Sequence, residues 1–216
     1  MKGVFVTGTD TGIGKTMVSA WLVRSWQADY WKPVQSGIAD GCDADVVKAV
    51  APGARIHPSA FMLNAPLSPH QAARLDGVSI ALEDFRLPVT DGRPLVVEGA
   101  GGVFVPLNDT HLMVDLMVRL RLPVLVVGRS GLGTINHCLL TLEALQQRDI
   151  AIAGVVLSGP PNDANRHAIE YYSGAMVVGE LPQLAKGAAD LADHPPLDWR
   201  PWQSASVLPL NAVKTR

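Results

Sequence analysis

Short, fully apolar segments alternate along the chain with longer segments whose apolar residues recur at helical spacing. The apolar segments are GVFVT at 3–7, PLVVEGA at 94–100, PVLVVG at 123–128 and IAIAGVVLS at 150–158. Between them, THLMVDLMVRLR at 110–121 and INHCLLTLEALQQR at 135–148 have leucines and methionines at helical intervals. Strands that are apolar throughout are typical of a parallel sheet covered on both faces. The pattern therefore predicts an α/β fold with a doubly wound, mainly parallel sheet, which binds ligands beyond the carboxyl ends of its strands.

Composition narrows the function classes. The 216 residues fit one domain covering 1–216, with a proline-rich tail from about residue 193 whose structure the pattern leaves open. A net charge of -2 gives no electrostatic reason to expect nucleic acid or an anionic membrane as a partner. No apolar stretch reaches the length of a membrane span, so we expect a cytoplasmic protein that acts on small molecules. Cys42 and Cys138 lack the spacing of a metal site and are interpreted as ordinary thiols.

The stretch GTDTGIGKT at 8–16 follows a predicted strand and precedes a helical run, which is the setting of a phosphate-binding loop. Backbone N–H groups of such a loop, together with the start of the helix, surround an anion. Lys15 would reach the β and γ phosphates, and the Thr16 hydroxyl would bind Mg²⁺. Five residues separate Gly8 from Gly14 where the usual pattern has four. The loop nevertheless predicts nucleotide binding.

Two charged residues at predicted strand ends are candidates for the same site. Lys32 precedes Pro33, which ends a short apolar stretch and would place the lysine at the carboxyl edge of the sheet. The alternative for Lys32 is a solvated charge. Glu98 ends an almost wholly apolar strand, where a carboxylate must be paired or bound to metal. A Mg²⁺ ligand and a buried ion pair are both open for Glu98.

Six motifs occur in order across residues 3 to about 185: GTDTGIGKT, KPVQSG, PLSPH, EGAGG followed by PL, LGTINH and GELP. On these motifs the chain resembles the dethiobiotin synthetase family. The resemblance implies a P-loop NTPase type of fold, a homodimer, and ATP and Mg²⁺ as cofactors. It also implies closure of a ureido ring, in which 7,8-diaminononanoate and CO₂ give dethiobiotin, ADP and phosphate through a carbamate and a carbamoyl phosphate, as a step of biotin synthesis.

The resemblance assigns roles by matching position. The catalytic residues would be Thr11, Lys15 and Lys32. The residues that bind the nucleotide would be Gly12, Ile13, Gly14, Lys15, Thr16, Met17, Ser158, Gly179, Leu181 and Pro182. The metal ligands would be Thr16, Asp43 and Glu98, with Asp45 as the alternative to Asp43 and a helix amino-terminal acid as the alternative role for either. The residues that bind the diamine substrate would be Ser36, Gly133, Thr134, Asn136 and Tyr171. Tyr172 is the alternative to Tyr171, and helix capping is the alternative role for Asn136. Gly133, Thr134 and Asn136 would bind the substrate of the other subunit.

Several positions depart from the family or admit another explanation. Gly12 stands where some relatives carry an acidic residue, and Ser158 stands where many carry an asparagine that reads adenine. Because Ser158 replaces the residue that reads adenine, we expect relaxed nucleotide selectivity. Ser68 and Pro69 fit the N-cap and first position of a helix, so His70 is given no catalytic role.

The main alternative function is a partition-type or metal-chaperone nucleotide switch. Such proteins carry a second lysine five residues before the lysine of GKT, and Asp10 occupies that position here. Fold alone does not separate this class from an enzyme. The identity of residue 10 therefore favours the enzyme.

Overall fold

The structure is a computed structural model that describes residues 2–184 and 187–202. The strands in these two ranges are β1 (Gly3–Gly8), β2 (Asp29–Trp31), β3 (Val34–Ser36), β4 (Ile56–His57), β5 (Phe61–Leu63), β6 (Leu95–Gly102), β7 (Val124–Arg129), β8 (Ile152–Ser158) and β9 (Val177–Leu181). Its α-helices in the described ranges are α1 (Lys15–Trp26), α2 (Asp43–Val50), α3 (Pro69–Leu75), α4 (Met113–Leu120), α5 (Thr134–Gln146), α6 (Asp163–Ser173) and α7 (Ala188–Asp193).

Seven of these strands form one parallel sheet in the order β4-β2-β6-β1-β7-β8-β9. Strands β3 and β5 form a separate parallel pair. After β1 the chain builds the β2 side of the sheet and later crosses to the β7 side. The loops that follow β1, β2, β6 and β7 therefore meet at one edge of the sheet, where this fold class binds ligands.

Side chains alternate along the central strand between two hydrophobic layers. Phe5 packs in the layer that contains α3, α4, α5 and α6, whereas Val4 and Val6 pack in the layer that contains α1, α2 and α7. All three residues are fully buried. This two-sided burial explains why the strands are apolar at nearly every position, and it confirms the predicted sheet with helices on both faces.

The end predicted for the second long strand, at 94–100, is wrong. The sequence places Glu98 at the strand end, but β6 continues through Gly102, which pairs with Gly8 after a register shift. Gly99 allows this continuation because a Cβ there would lie 2.7 Å from the Phe5 ring. Glu98 consequently lies inside the strand, where it pairs with Val6 of β1, and its position is more rigid than that of a loop residue.

The described part of the tail packs against α1. The Trp21 indole N–H donates to the Pro195 carbonyl at 2.8 Å, and the Trp26 indole N–H donates to the Trp199 carbonyl at 2.9 Å. The backbone N–H of Leu197 donates to a side chain on the same helix. The rest of the predicted tail, 203–216, lies outside the described residues. Within the described ranges, no helix combines the length and apolar character that crossing a membrane requires.

Candidate functional site

The loop between β1 and α1 has the backbone form of an anion site. Gly12 and Gly14 adopt left-handed conformations, with φ of 67° and 95°. Gly14 is the N-cap of α1 and brings no side chain to cap the helix. The backbone N–H groups of the first turn of α1 are therefore left without a side-chain partner at the positive end of the helix dipole.

Charged groups hold this loop from both sides. The Lys15 ammonium donates to the Asp10 carbonyl at 2.8 Å. The Asp10 carboxylate accepts from the Thr11 backbone N–H at 2.7 Å, and its other oxygen lies 3.6 Å from the Arg129 guanidinium. Arg129 also donates to the Thr11 carbonyl at 3.3 Å. Asp10 therefore stabilises the loop itself, and the position that bears a second lysine in switch proteins carries an ion pair with Arg129.

Four side chains converge beside the loop, from α1, α2, β6 and the residue that follows β2. The Thr16 hydroxyl contacts Asp43 Oδ1 at 2.8 Å and Glu98 Oε1 at 2.9 Å. The Lys32 ammonium contacts Glu98 Oε1 at 3.0 Å and also contacts the Asp43 carboxylate. Lys32 is 8% exposed and Glu98 is 1% exposed. The placement of Lys32 at the edge of the sheet beside the loop is confirmed, and the ion pair expected as one alternative for Glu98 is present.

Burial and neighbouring charges act in opposite directions on the pKa values of these groups. Burial lowers the pKa of Lys15 and outweighs the opposing effect of Glu98. Burial also lowers the pKa of Lys32, but Glu98 and Asp43 outweigh it, and the pKa lies above its ordinary value. The pKa of Asp43 is raised by burial but lowered more by Lys32 and Thr16, so it lies below its ordinary value. Lys32 and Asp43 thus hold each other in the charged form.

Asp43 and Asp45 are separated by their positions on α2. Asp43 is the first residue of the helix and turns its carboxylate towards Thr16 and Lys32. Asp45 is exposed on another face. Two residues correspond to about 200° of rotation around a helix, so the two carboxylates point in opposite directions. Only Asp43 lies in the cluster.

Two residues of the site were missed from the sequence. The buried Tyr30 phenol donates to Glu98 Oε2 at 2.9 Å, and burial followed by the Glu98 charge raises the pKa of that phenol well above its ordinary value. Gln35 Oε1 accepts from the Asp43 backbone N–H at 3.2 Å. The available signal was strand alternation, because Tyr30 is two residues before Lys32 and must share its face.

A cleft of about 580 Å³ opens over the phosphate loop and this cluster. Its lining includes many of the predicted site residues, namely Thr11, Gly12, Gly14, Lys15, Thr16, Met17, Lys32, Ser36, Asp43 and Glu98. The Ser36 hydroxyl oxygen is buried and has no hydrogen-bond partner among the described residues. A polar atom of this kind usually has a partner, so Ser36, which lines the cleft, is a candidate for binding a molecule there.

Comparisons with known proteins agree with this geometry. A family model described as an AAA domain matches residues 2–189. The ATP-dependent dethiobiotin synthetase BioD of Paramagnetospirillum magneticum is 59% identical over 197 residues, which cover 91% of this chain and 96% of that protein. The BioD of Brucella ovis is 48% identical over 84% of this chain and 86% of that protein. The chain belongs to the dethiobiotin synthetase family. The resemblance drawn from the six motifs is confirmed.

Members of other functional classes share only the fold. A ParA family ATPase from Chlorobium tepidum superimposes with a TM-score of 0.51 at 16% identity, covering 89% of each chain. At that identity the likeness supports the P-loop NTPase type of sheet and nothing about activity. The dethiobiotin synthetase family and this ATPase family therefore share one scaffold, and the function of the chain depends on its site residues.

The donor set fits the Mg²⁺ ion expected for the dethiobiotin synthetase family. Thr16, Asp43 and Glu98 offer one hydroxyl and two carboxylates, which are the hard oxygen ligands that Mg²⁺ prefers. They already contact one another through Thr16. Among the described residues no three His, Cys, Asp or Glu side chains converge. This agrees with an ion held by one or two carboxylates and by substrate phosphates.

The structure does not bring the predicted carboxylate-binding residues into the cleft. Gly133 is the N-cap of α5, so the capping alternative for Asn136, three residues later and exposed, is wrong. The Thr134 hydroxyl is buried against Cys138 Sγ at 3.5 Å, and only its backbone is left for a ligand. Tyr171 and Tyr172 are 69% and 66% exposed on α6, with their rings in edge contact. None of these residues is part of the described lining of the cleft over the phosphate loop.

The predicted base-binding residues lie around the end of β8 and in β9. A Cβ on Gly14 would lie 2.7 Å from Ser158 Oγ, so Ser158 is next to the phosphate loop. Gly179 packs against the Trp21 ring, and the Leu181 side chain is buried. The Leu181 carbonyl accepts from the Gly159 N–H at 2.9 Å. Ser158, Gly179 and Pro182 are therefore partly exposed, whereas the Leu181 side chain is not available to a base.

The side chain of Ile13 has a different role from its neighbours in the loop. Its side chain is 4% exposed, and a Cβ on Gly8 would lie 2.6 Å from Ile13 Cδ1. Ile13 therefore anchors the loop in the core, and its contribution to a nucleotide is limited to its backbone.

Ser68 occupies the N-cap position of α3, as predicted, and Pro69 is the first residue of the helix. The Ser68 hydroxyl lies 3.0 Å from His70 Nδ1 instead of capping the backbone.

Proposed function

We propose that the protein is an ATP-dependent dethiobiotin synthetase, which uses ATP and CO₂ to close the ureido ring of dethiobiotin on 7,8-diaminononanoate. The observation that carries the proposal is the convergence of Lys15 and Lys32 with Thr16, Asp43 and Glu98 beside the phosphate loop. Family membership supports it, since the relative with 59% identity is named as this synthetase.

The chemistry needs positive charge, because a carbamate must approach a γ-phosphate that is also negative. Lys15 would bind the phosphates after leaving the Asp10 carbonyl, and Lys32 lines the same cleft. Thr16, Asp43 and Glu98 would hold Mg²⁺, which when bound supplies further positive charge to the phosphate oxygens. Phosphoryl transfer depends mainly on such positioning and charge, so these residues need form no covalent intermediate.

The diamine end of the substrate would lie over Thr11 and Ser36. Ser36 supports this assignment, because it lines the cleft and its hydroxyl has no hydrogen-bond partner among the described residues. Gly12, Gly14, Met17 and the backbone near Pro182 would contact the nucleotide.

We also propose a homodimer in which Gly133, Thr134, Asn136 and one of the two tyrosines bind the substrate carboxylate for the partner subunit. The dimer is supported by three exposed apolar side chains. Leu132, just before α5, is 108% exposed, and Leu140 and Phe104, which line a cleft of about 400 Å³, are 56% and 51% exposed. A dimer would bury these side chains and bring a free helix start to the neighbouring cleft.

Sedimentation velocity tests the dimer. We expect wild type to sediment as a dimer and Leu140→Glu to sediment as a monomer with weaker binding of the diamine. Val118→Glu, a change of a 46% exposed residue on α4, should leave the dimer intact. A wild-type monomer at working concentration would remove the shared site.

Two broader features belong to the proposal. We propose that residues 1–216 form one domain, supported by the packing of 194–202 on α1. We also propose a cytoplasmic location, supported by the lack of a membrane-spanning helix in the described ranges.

The activity test measures phosphate release from MgATP and bicarbonate, with and without 7,8-diaminononanoate, and detects dethiobiotin by mass spectrometry. We expect release to require the diamine and to fall to background in Lys32→Ala. Lys48→Ala, an exposed lysine on α2, is the control and should keep wild-type activity. Release that is indifferent to the diamine would discard the substrate and leave a nucleotide switch as the better description.

A further inference from the structure

Among the described residues, the hydrogen bond that links Tyr30 to the candidate site is the one to Glu98. Its phenol donates to Glu98 Oε2 at 2.9 Å, and the two residues are 0% and 1% exposed. We infer that Tyr30 is a positioning residue, which fixes the Glu98 carboxylate so that its other oxygen faces the cation site. The inference rests on the proposed role of Glu98 as a metal ligand and adds a residue that controls it.

Strand register explains how Tyr30 reaches one oxygen only. Tyr30 pairs with Val96, two residues before Glu98, so both side chains project from one face of the sheet at neighbouring levels. Lys32 is two residues further along and approaches Glu98 Oε1 at 3.0 Å. Tyr30 therefore occupies the inner oxygen and leaves Oε1 to Thr16 and Lys32.

Removing the phenol oxygen would leave Glu98 Oε2 buried without its donor. The carboxylate would then rotate in search of another partner, and Oε1 would no longer have one fixed direction. Partners of metal ligands that act in this way typically change metal affinity by about 10- to 100-fold. We expect Tyr30→Phe to weaken binding of a divalent cation by about tenfold, at the lower end of that range.

The neighbouring residue provides a matched control. The Trp31 indole N–H donates to the Pro58 carbonyl at 3.0 Å, and Trp31 is 3% exposed. Trp31→Phe also removes one buried donor from β2, but on the opposite face of the sheet, away from Glu98. A general loss of stability in this strand would therefore affect both variants.

The experiment measures free Mn²⁺ by electron paramagnetic resonance while Mn²⁺ is added to the full-length protein saturated with ADP. Wild type, Tyr30→Phe, Trp31→Phe and Glu98→Gln are compared, and urea unfolding without Mn²⁺ records the stability of each. We expect the Mn²⁺ Kd to rise about tenfold in Tyr30→Phe and at least that much in Glu98→Gln. Trp31→Phe should stay within about twofold of wild type, because its donor lies outside the site.

The possible failures are distinct. A Tyr30→Phe Kd equal to that of wild type, with Glu98→Gln strongly weakened, would overturn the positioning role and leave Glu98 as a ligand. Equal weakening in Tyr30→Phe and Trp31→Phe would also overturn it, because the effect would then be one of strand stability. A Glu98→Gln Kd equal to that of wild type would remove the proposed metal ligand itself and the role of Tyr30 with it.

Discussion

Replacing Lys32 by methionine tests the charge balance of the site directly. The ammonium contacts Glu98 Oε1 at 3.0 Å and also contacts Asp43. Methionine keeps a long apolar side chain but leaves the Glu98 carboxylate, 1% exposed, without its cation. The expected effect is a loss of stability in the absence of divalent metal, separate from any loss of activity.

The magnitude follows from distance and burial. At 3.0 Å and an effective dielectric of about 20, the Coulomb attraction between Lys32 and Glu98 is about 5.5 kcal/mol. Removing one member of a buried pair typically costs about 3–5 kcal/mol. Tyr30 and Thr16 still donate to Glu98, so we expect the free energy of unfolding to fall by about 3 kcal/mol, the lower end of that range.

Urea unfolding of Lys32→Met, Glu98→Gln and the double variant measures this effect. We expect the double variant to recover about 1.5 kcal/mol or more relative to the sum of the single changes, because it removes both charges. Mg²⁺ should stabilise Lys32→Met more than wild type, since it supplies the missing cation. Lys48→Met should change stability by no more than about 0.5 kcal/mol. A loss below about 1 kcal/mol in Lys32→Met, or strictly additive single changes, would refute the reasoning.

Three further predictions concern the loop and the base site. Calorimetry should show that Gly14→Ala binds MgADP about fivefold more weakly than Gly12→Ala. Both glycines have positive φ, but only a methyl group at position 14 would push Ser158 aside, and that displacement costs about 1 kcal/mol. For wild type, kcat/KM with GTP or CTP should lie within about a hundredfold of kcat/KM with ATP. The change Ser158→Asn should increase the preference for ATP. A wild-type preference for ATP of more than about a hundredfold would contradict the expected relaxed selectivity. Arg129→Ala should raise the KM for ATP about threefold at unchanged kcat, a small effect because the ion pair of Arg129 with Asp10 is half-exposed. Arg129→Lys should restore part of the loss. An unchanged KM in Arg129→Ala would exclude Arg129 as a residue that stabilises the loop.

The sheet and the phosphate loop could be predicted because their causes are local. Strands β1, β6, β7 and β8 are apolar on both faces, and a short glycine-rich loop that ends at Gly14 joins β1 to the first residue of α1, Lys15. Parallel strands place their carboxyl ends at one edge, so the meeting of Lys32 and Glu98 follows from topology even though 66 residues separate them.

The choice between Asp43 and Asp45 could not be predicted in the same way. Both lie in the first turn of α2, and both suit the helix dipole. Which carboxylate faces the cleft depends on how α2 packs against α1, and that packing is tertiary. The contact of Tyr30 with Glu98 was missed for a similar reason, since it depends on the pairing of β2 with β6.

The balance of formal charges connects the phosphate loop to the rest of the site. Lys15 and Lys32 carry two positive charges, and Asp43 and Glu98 carry two negative charges in the same cleft. Lys32 is held by both carboxylates, and Lys15 is held by a loop carbonyl. A nucleotide that arrives alone meets a cluster with no surplus charge, whereas a nucleotide that arrives with Mg²⁺ brings a cation for the carboxylates. The neutral arrangement therefore favours joint binding of metal and nucleotide, and it explains why Asp43 and Glu98 are tolerated beside a phosphate site.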